Sequence, residues 1–394
     1  MENKNILISG AGIAGTALAF WLKKFGFNPT IVEIAPKLRE GGYAIDFWGA
    51  GFDVAEKMQI LPELSKVDLK LSELTFVDKN NKRRGGMNYQ KIIKWMNGRA
   101  FTLLRSDLAK TIYNHLDKDI EIIFGDKISK VEQSENEVSV TFHSGKTRSF
   151  DLVVGADGLH SNMRNLVFGD EAQFEKYYGY YTASYTIPNP KGDKEFSMYN
   201  VPSKQVALYP TNENTSAVLY VFASPEKLSY NHHDIEAQKQ ILRNHFENIG
   251  WKCADLISKI DTAPDFYFDV VSQIQMKNWS KNRVALVGDA CDCPSLLSGQ
   301  GSTLAMVGAY ILAGELKNAN GNFKVAFEQY QNIFKEFIDD KQLLAQKFAK
   351  QFVPKSKFGI WLRNVVVDLM FLPFVSKLLI KQFTDKLKLK DYTG

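Results

Sequence analysis

The chain has 394 residues, 45% apolar and 24% charged, which suits a soluble globular protein with room for two cored lobes. Its net charge of +5 is mild, and residues 351–394 carry eight Lys/Arg against three Asp/Glu, so the excess is too diffuse for a nucleic-acid binder. Three cysteines, Cys253, Cys291 and Cys293, argue against a disulfide framework and fit a reducing cytoplasm.

The charged start leads directly into a strand, so no signal peptide is expected. Ile6 to Ser9 is an apolar run of strand length. Gly10, Gly12 and Gly15 follow at GxGxxG spacing, and a helical pattern runs from Ile13 to Phe25, closed by Gly26. Gly10 permits a tight turn, Gly12 lets a pyrophosphate approach the backbone, and Gly15 lets helix and strand pack closely. The helix start offers N–H groups and partial positive charge to phosphates. Glu33 ends a second strand eighteen residues after Gly15, where a carboxylate can accept from a ribose. A glycine-rich turn alone fits any α/β domain; with strand, helix and acid around it, the reading is a dinucleotide site.

A glycine-containing loop from Lys37 to Asp46 comes next, then Leu103 to Leu108, where Ser106 is a candidate cap for a helix carrying Leu108, Ile112 and Leu116. Residues 120–150 read as short strands with a hairpin turn at Ser144-Gly145. Asp151 to Gly158 reads as a buried strand of a parallel sheet ending in a turn. Residues 172–275 form a second lobe. It opens with Tyr177, Tyr178, Tyr180, Tyr181 and Tyr185, read as sheet packing, and has strands at Val206–Tyr209 and Ala217–Phe222 and helices between Asn231 and Ile260. Arg283 to Ala290 returns to strand and turn, Ser302 to Glu315 to a tightly packed helix, and the tail is helical from Phe323 nearly to the end. Phe358 to Ile380 is broken by Arg363, Asp368, Pro373 and Lys377, which makes a poor membrane span. Its helical spacing continues to Phe383 and reads first as a helix covering an active-site mouth, then as a core helix, then as a membrane-surface helix.

Three separated glycine–aspartate signals stand in order: Gly10 to Gly15; Gly155 to Gly158 with Arg164; and Gly288-Asp289, leading through Pro294 to Gly299-Gln300-Gly301. On these motifs the chain, over residues 5 to about 316, resembles the class A flavoprotein monooxygenases, the single-component aromatic hydroxylases. Glu40 to Gly49, Cys293 to Gly301 and the C-terminal extension make it most similar to the tetracycline-inactivating branch, the tetracycline destructases.

The resemblance implies an α/β fold: a Rossmann-like FAD-binding domain with an inserted β-rich substrate-binding domain and a C-terminal helical extension. The FAD domain would come from 1–74, 100–172 and 276–316, the substrate domain from 75–99 and 173–275, and the cap from 317–394. FAD would lie along Gly10, Gly12, Ala14 and Gly15, with Glu33 on its adenosine ribose and Arg105 at the pyrophosphate or ribityl chain. Asp289 would accept from the ribityl hydroxyls and Asp46 would lie beside the flavin. Asp157 is a ligand or a structural turn former, and Arg39 matches a transient nicotinamide contact; Arg39 and Arg105 also read as surface ion-pair residues. Gly299, Gln300, Gly301 and Ser302 would turn into a helix whose start faces the N1–C2=O edge, where reduced flavin is negative. Thr303 and Asp292 depart from the Asn and His common in the family, which leaves that edge to backbone groups.

The implied chemistry uses NADPH or NADH to reduce FAD, then oxygen to form a C4a-hydroperoxide that oxidises an enol or phenol carbon of a tetracycline-like small molecule. It needs no catalytic side-chain triad and no metal. Cys291-Asp292-Cys293 reads as structural and His232-His233 as a solvated loop. A single GxGxxG without CxxxxC weighs against a disulfide reductase, and the absence of WxWxIP weighs against a halogenase. The rivals are a same-fold hydroxylase of another phenol or polyketide and a non-catalytic flavin- or drug-binding protein. A monomer without membrane insertion is expected.

Overall fold

The computed structural model describes residues 1–38, 41–189, 192, 195–231, 234–371 and 387–393. Two large sheets organise it. The first has six strands in the spatial order Ser280–Lys281, Val284–Leu286, Leu152–Gly155, Asn5–Ser9, Asn28–Glu33 and Glu121–Phe124. All pair in parallel except the short Ser280–Lys281 edge. Ile6, Leu7, Ile8, Leu152, Val153 and Val154 are fully buried, as strands covered on both faces require. Helices Ile13–Lys24 and Gly301–Asn318 pack against each other in the same core. Ile128–Gln133, Val138–Phe142 and Thr147–Phe150 form a small antiparallel sheet of their own, with the Ser144-Gly145 turn where the sequence put it.

The second sheet has seven strands, ordered Tyr267–Ile274, Glu175–Pro188, Thr215–Ala223, Lys204–Pro210, Phe196–Val201, Glu73–Val77 and Arg83–Asn88. One face packs on helices Ile235–Phe246 and Cys253–Ser258. There Tyr181 stacks on Phe222 and Phe268, and Tyr185 on Tyr220, each with ring centres 5.6 Å apart. At these positions the tyrosine-rich stretch is sheet packing. A ribbon of Ala44–Trp48 and Ala100–Leu104 pairs antiparallel, and helices Phe323–Phe352 and Lys357–Met370 complete the described chain.

Ser106 does not cap its helix. Helix Arg105–Asn114 begins two residues earlier than a Ser106 cap would place it, with Leu104 at the cap position, because strand Ala100–Leu104 runs straight into it and Tyr43 O takes the Arg105 N–H at 3.2 Å. Nor is the tail helical nearly to its end: residues 387–393 have no regular secondary structure and lie on helix Gly301–Asn318. There the Tyr392 ring occupies the space that a Cβ on Gly314 would need, and its hydroxyl donates to Glu315 Oε1 at 2.6 Å.

Within the expected cover, helix Lys357–Met370 docks through polar side chains. Asp368 Oδ1 accepts from Gly86 N–H at 3.0 Å, while Arg363 sits over the Phe76 ring and donates to Asn200 Oδ1 at 3.0 Å. Phe358, Trp361, Leu362, Val366 and Leu369 face outward. The rest of that apolar stretch, 372–383, lies outside the described residues, as do His232 and His233. No described helix is long and apolar enough to cross a membrane.

Candidate active site

The glycine turn is built as its spacing demands. Gly10 has φ +106°, a backbone that L side chains rarely adopt, and a Cβ there would sit 2.6 Å from Ala156 O. A Cβ on Gly15 would collide with the Gly10 carbonyl, whereas one on Gly12 would meet no atom within 4 Å. Gly10 and Gly15 therefore serve close packing, and Gly12 leaves open backbone at the start of helix Ile13–Lys24.

One cavity brings together Gly12, Ala14, Asp46, Arg105, Asp289, Gly299, Gly301 and Ser302. Gly10, Gly15, Glu33, Asp157 and Gln300 do not line it, and Arg39 lies outside the described residues. Glu33 ends strand Asn28–Glu33 and accepts from Ala11 N–H at 2.8 Å and Ala35 N–H at 2.9 Å. Its carboxylate ties the glycine turn to the second strand and keeps lone pairs to spare. Asp157 accepts from Ser161 Oγ at 2.5 Å and from Met163 N–H at 2.9 Å, so it organises its turn. Gln300 is buried at the N-cap of helix Gly301–Asn318.

Arg105, Asp289 and Asp46 form the polar middle of the cavity. Burial pushes the Asp289 carboxyl up and nearby Arg105 opposes that rise; burial also raises Asp46, with Thr102 Oγ1 donating at 3.0 Å against it. Burial works against the Arg105 charge, but the acidic groups around it, Asp289 among them, together outweigh that cost. Two helix starts, at Gly12 and Gly301, open onto the same space. Open glycine backbone, two helix N-termini and an arginine fork fit a diphosphate joined to a polyhydroxyl chain, which is the chemistry of FAD.

Sequence reasoning missed a chain of side chains beside Arg105. Tyr267 lines the cavity and donates to Asp269 Oδ2 at 3.1 Å, and Asp269 Oδ1 pairs with His160 Nε2 at 2.9 Å. His160 Nδ1 reaches Glu171 at 2.8 Å, and Glu171 also pairs with buried Arg164 at 2.6 Å. Burial alone would lower the His160 pKa, but its two carboxylate partners push it up to about 10. Only an aspartate two residues after a tyrosine hinted at this chain in the sequence. All three cysteines are free and buried, and no group of His, Cys, Asp and Glu among the described residues could hold a metal.

A glycine turn, a facing helix start and an inserted sheet over one cavity define a flavin-binding α/β protein. Residues 3–321 match the family described as FAD binding domain, and the chain belongs to it; it is a class A FAD-dependent monooxygenase. It is 40% identical over 343 residues to an uncharacterised protein of Mycobacterium tuberculosis, covering 86% of this chain and 92% of that protein. A flavin-dependent monooxygenase of Legionella longbeachae is 35% identical over 361 residues, covering 91% of this chain and 89% of that protein. The crystal structure of tetracycline destructase Tet(51) superposes with a TM-score of 0.86 at 31% identity, covering all of both chains.

Proposed function

We propose that this protein uses NAD(P)H and molecular oxygen to oxidise, and so inactivate, tetracycline-type antibiotics. The observation that carries the reading is one cavity running from the Gly12 backbone to the second sheet, where Thr182, Gln205, Leu219 and Val221 form its wall. Likeness to a tetracycline destructase over the whole chain supports this substrate class.

Bound FAD supplies the oxygen-activating redox chemistry. Around it, the backbone at Gly12 and the start of helix Ile13–Lys24 hold phosphate charge, and Arg105 pairs with oxyanions. Asp289 and Asp46 would accept from the cofactor's hydroxyl or ring N–H groups, and the helix start at Gly301 and Ser302 would favour negative charge placed before it. Leu219, Val221, Leu296 and Phe352 give an apolar wall that excludes water from the oxidising step. In this reading the FAD lobe comprises 1–74, 100–172 and 276–316, the substrate lobe 75–99 and 173–275, and the cap 317–394, with Arg39 touching the reductant.

The test is to purify the protein with FAD and follow NADPH consumption together with loss of tetracycline absorbance. Mass spectrometry on a panel of tetracyclines, phenols and other polyketides should show a tetracycline gaining one oxygen. Turnover of a different panel member with every tetracycline untouched overturns the substrate class and leaves the flavoprotein intact.

A further inference from the structure

The helix Lys357–Met370 turns its polar side chains inward and its apolar ones to the outside. Asn364 is buried, Arg363 lies with 4.4 Å to the centre of the Phe76 ring, and Asp368 takes the Gly86 N–H. On the other side Phe358 is 68% exposed and Trp361 57%, with Leu362, Val366 and Leu369 exposed beside them. These five stand at positions i, i+3, i+4, i+8 and i+11, which a helix gathers into one stripe. The Phe358 and Trp361 rings lie 5.6 Å apart. Single exposed apolar residues are ordinary on a protein surface, whereas a continuous stripe marks a contact.

Lysines frame this stripe at both ends. Lys355 and Lys357 are exposed at the start of the helix. Past its end, Phe371 stacks on Trp95 with ring centres 5.3 Å apart, and Lys91 Nζ lies 5.9 Å from the centre of the Phe371 ring. Lys91 and Lys94, on helix Tyr89–Trp95, are both exposed. None of the four lysines has an ion pair with an acid among the described residues. Asp368 is the one acid between Lys355 and Phe371, and its carboxylate is turned to the Gly86 backbone. A second copy seated on this face through a twofold axis would set the lysines against their own equivalents. Negatively charged headgroups over an apolar interior match both the stripe and its frame.

We propose that the outer face of helix Lys357–Met370 docks the protein on an anionic membrane surface. Phe358, Trp361, Leu362, Val366 and Leu369 enter the boundary between headgroups and acyl chains, while Lys91, Lys94, Lys355 and Lys357 pair with lipid phosphates. The helix lies in the plane of the surface. Its 14 residues span about 21 Å at ~1.5 Å per residue, short of the ~30 Å needed to cross. Because it packs on strands Arg83–Asn88 and Phe196–Val201, docking holds the second sheet at the lipid surface. The inference stands apart from the substrate class.

The experiment sediments the FAD-loaded full chain with vesicles of phosphatidylcholine alone and of phosphatidylcholine mixed with phosphatidylglycerol, at low and high salt. Wild type should sediment with the mixed vesicles, bind far less to phosphatidylcholine alone, and be released by salt. The double variant Phe358→Ser, Trp361→Ser should bind at least about 10-fold more weakly, because the inserted rings are gone. The double variant Lys355→Gln, Lys357→Gln should lose about 10- to 30-fold. All four side chains are exposed, so melting temperature and FAD content should match the wild type. Wild type that stays in solution with the mixed vesicles overturns the proposal, as does binding that the Phe358→Ser, Trp361→Ser variant leaves unchanged. Sedimentation velocity without lipid should show a monomer; a dimer that the same variant dissociates gives the face to a second copy and overturns the proposal as well.

Discussion

Arg105 is the single residue whose loss should be felt most directly by the cofactor. It faces the cavity, its charge is supported by nearby Asp289, and Asp46 lies on the same lining. Replacing it with Ala removes a planar donor fork from a site built for oxyanions. FAD affinity should fall about 10- to 100-fold, corresponding to about 1.5–3 kcal/mol for a charge-assisted hydrogen bond, and Arg105→Lys should recover only part. Flavin released on dilution, followed by its fluorescence, checks this; retention equal to wild type would place the guanidinium away from the cofactor. Asp289 was legible in the sequence because it follows a short strand within the Gly288-Asp289 motif, and Arg105 only through the family resemblance. Gln205, Tyr267 and His160 were not. Their placement depends on which strands pair and in what register, and a lone Gln or His in a strand or loop carries no local mark of that.

At the level of elements, the helix Gly301–Asn318 carries the site at one end and is strapped at the other. Its first residues open onto the cavity, while Gly314 and Glu315 near its far end receive the Tyr392 ring and hydroxyl. Tyr310 OH donates to Lys390 O at 3.1 Å and accepts Tyr392 N–H at 3.0 Å, so backbone and side chain hold the strap together. Tyr392→Ala deletes a buried aromatic ring and leaves Glu315 short of a donor, and should destabilise the protein by about 3–5 kcal/mol. Tyr392→Phe keeps the ring and should cost about 1–2 kcal/mol for the missing hydroxyl. Urea unfolding of the FAD-loaded protein measures both, and equal losses for the two variants would mean that the ring contributes nothing. The strap reads as helix in the sequence because no Gly or Pro between Phe374 and Thr393 marks a stop, and the glycine that admits Tyr392 lies 78 residues away. By contrast, the first strand, turn and helix were readable because the glycine spacing that marks them lies within one short stretch of chain, although Gly10 itself packs against Ala156. Gly10 and Gly15 are held by contacts within a few residues or across one strand.

For the whole molecule, the cavity exists only while the two sheets face each other, and a charged pair network spans that junction. His160 follows the strand Leu152–Gly155 of the first sheet, while its partner Asp269 lies in strand Tyr267–Ile274 of the second. Glu171 and Arg164 complete the network, and Tyr267 joins it to the cavity wall. The folded-state pKa of His160, about 10, lies above its ordinary value of 6.5, so its contribution is fully present below pH 6.5. As pH rises from there the contribution declines, and it is gone once the folded imidazolium has titrated near pH 10. Glu171 behaves oppositely: its lowered pKa adds stability above the ordinary carboxylate range that is lost in acid. The His160 side chain is 40% exposed, so solvent screens the pairs and their value is modest. His160→Gln should cost about 1–2 kcal/mol at pH 6, and that gap should close steadily toward pH 10. Thermal unfolding of both proteins from pH 6 to pH 10 makes the comparison. A gap that does not change with pH would show that His160 packs at the junction as a neutral ring, and that the two lobes are held by apolar contact alone.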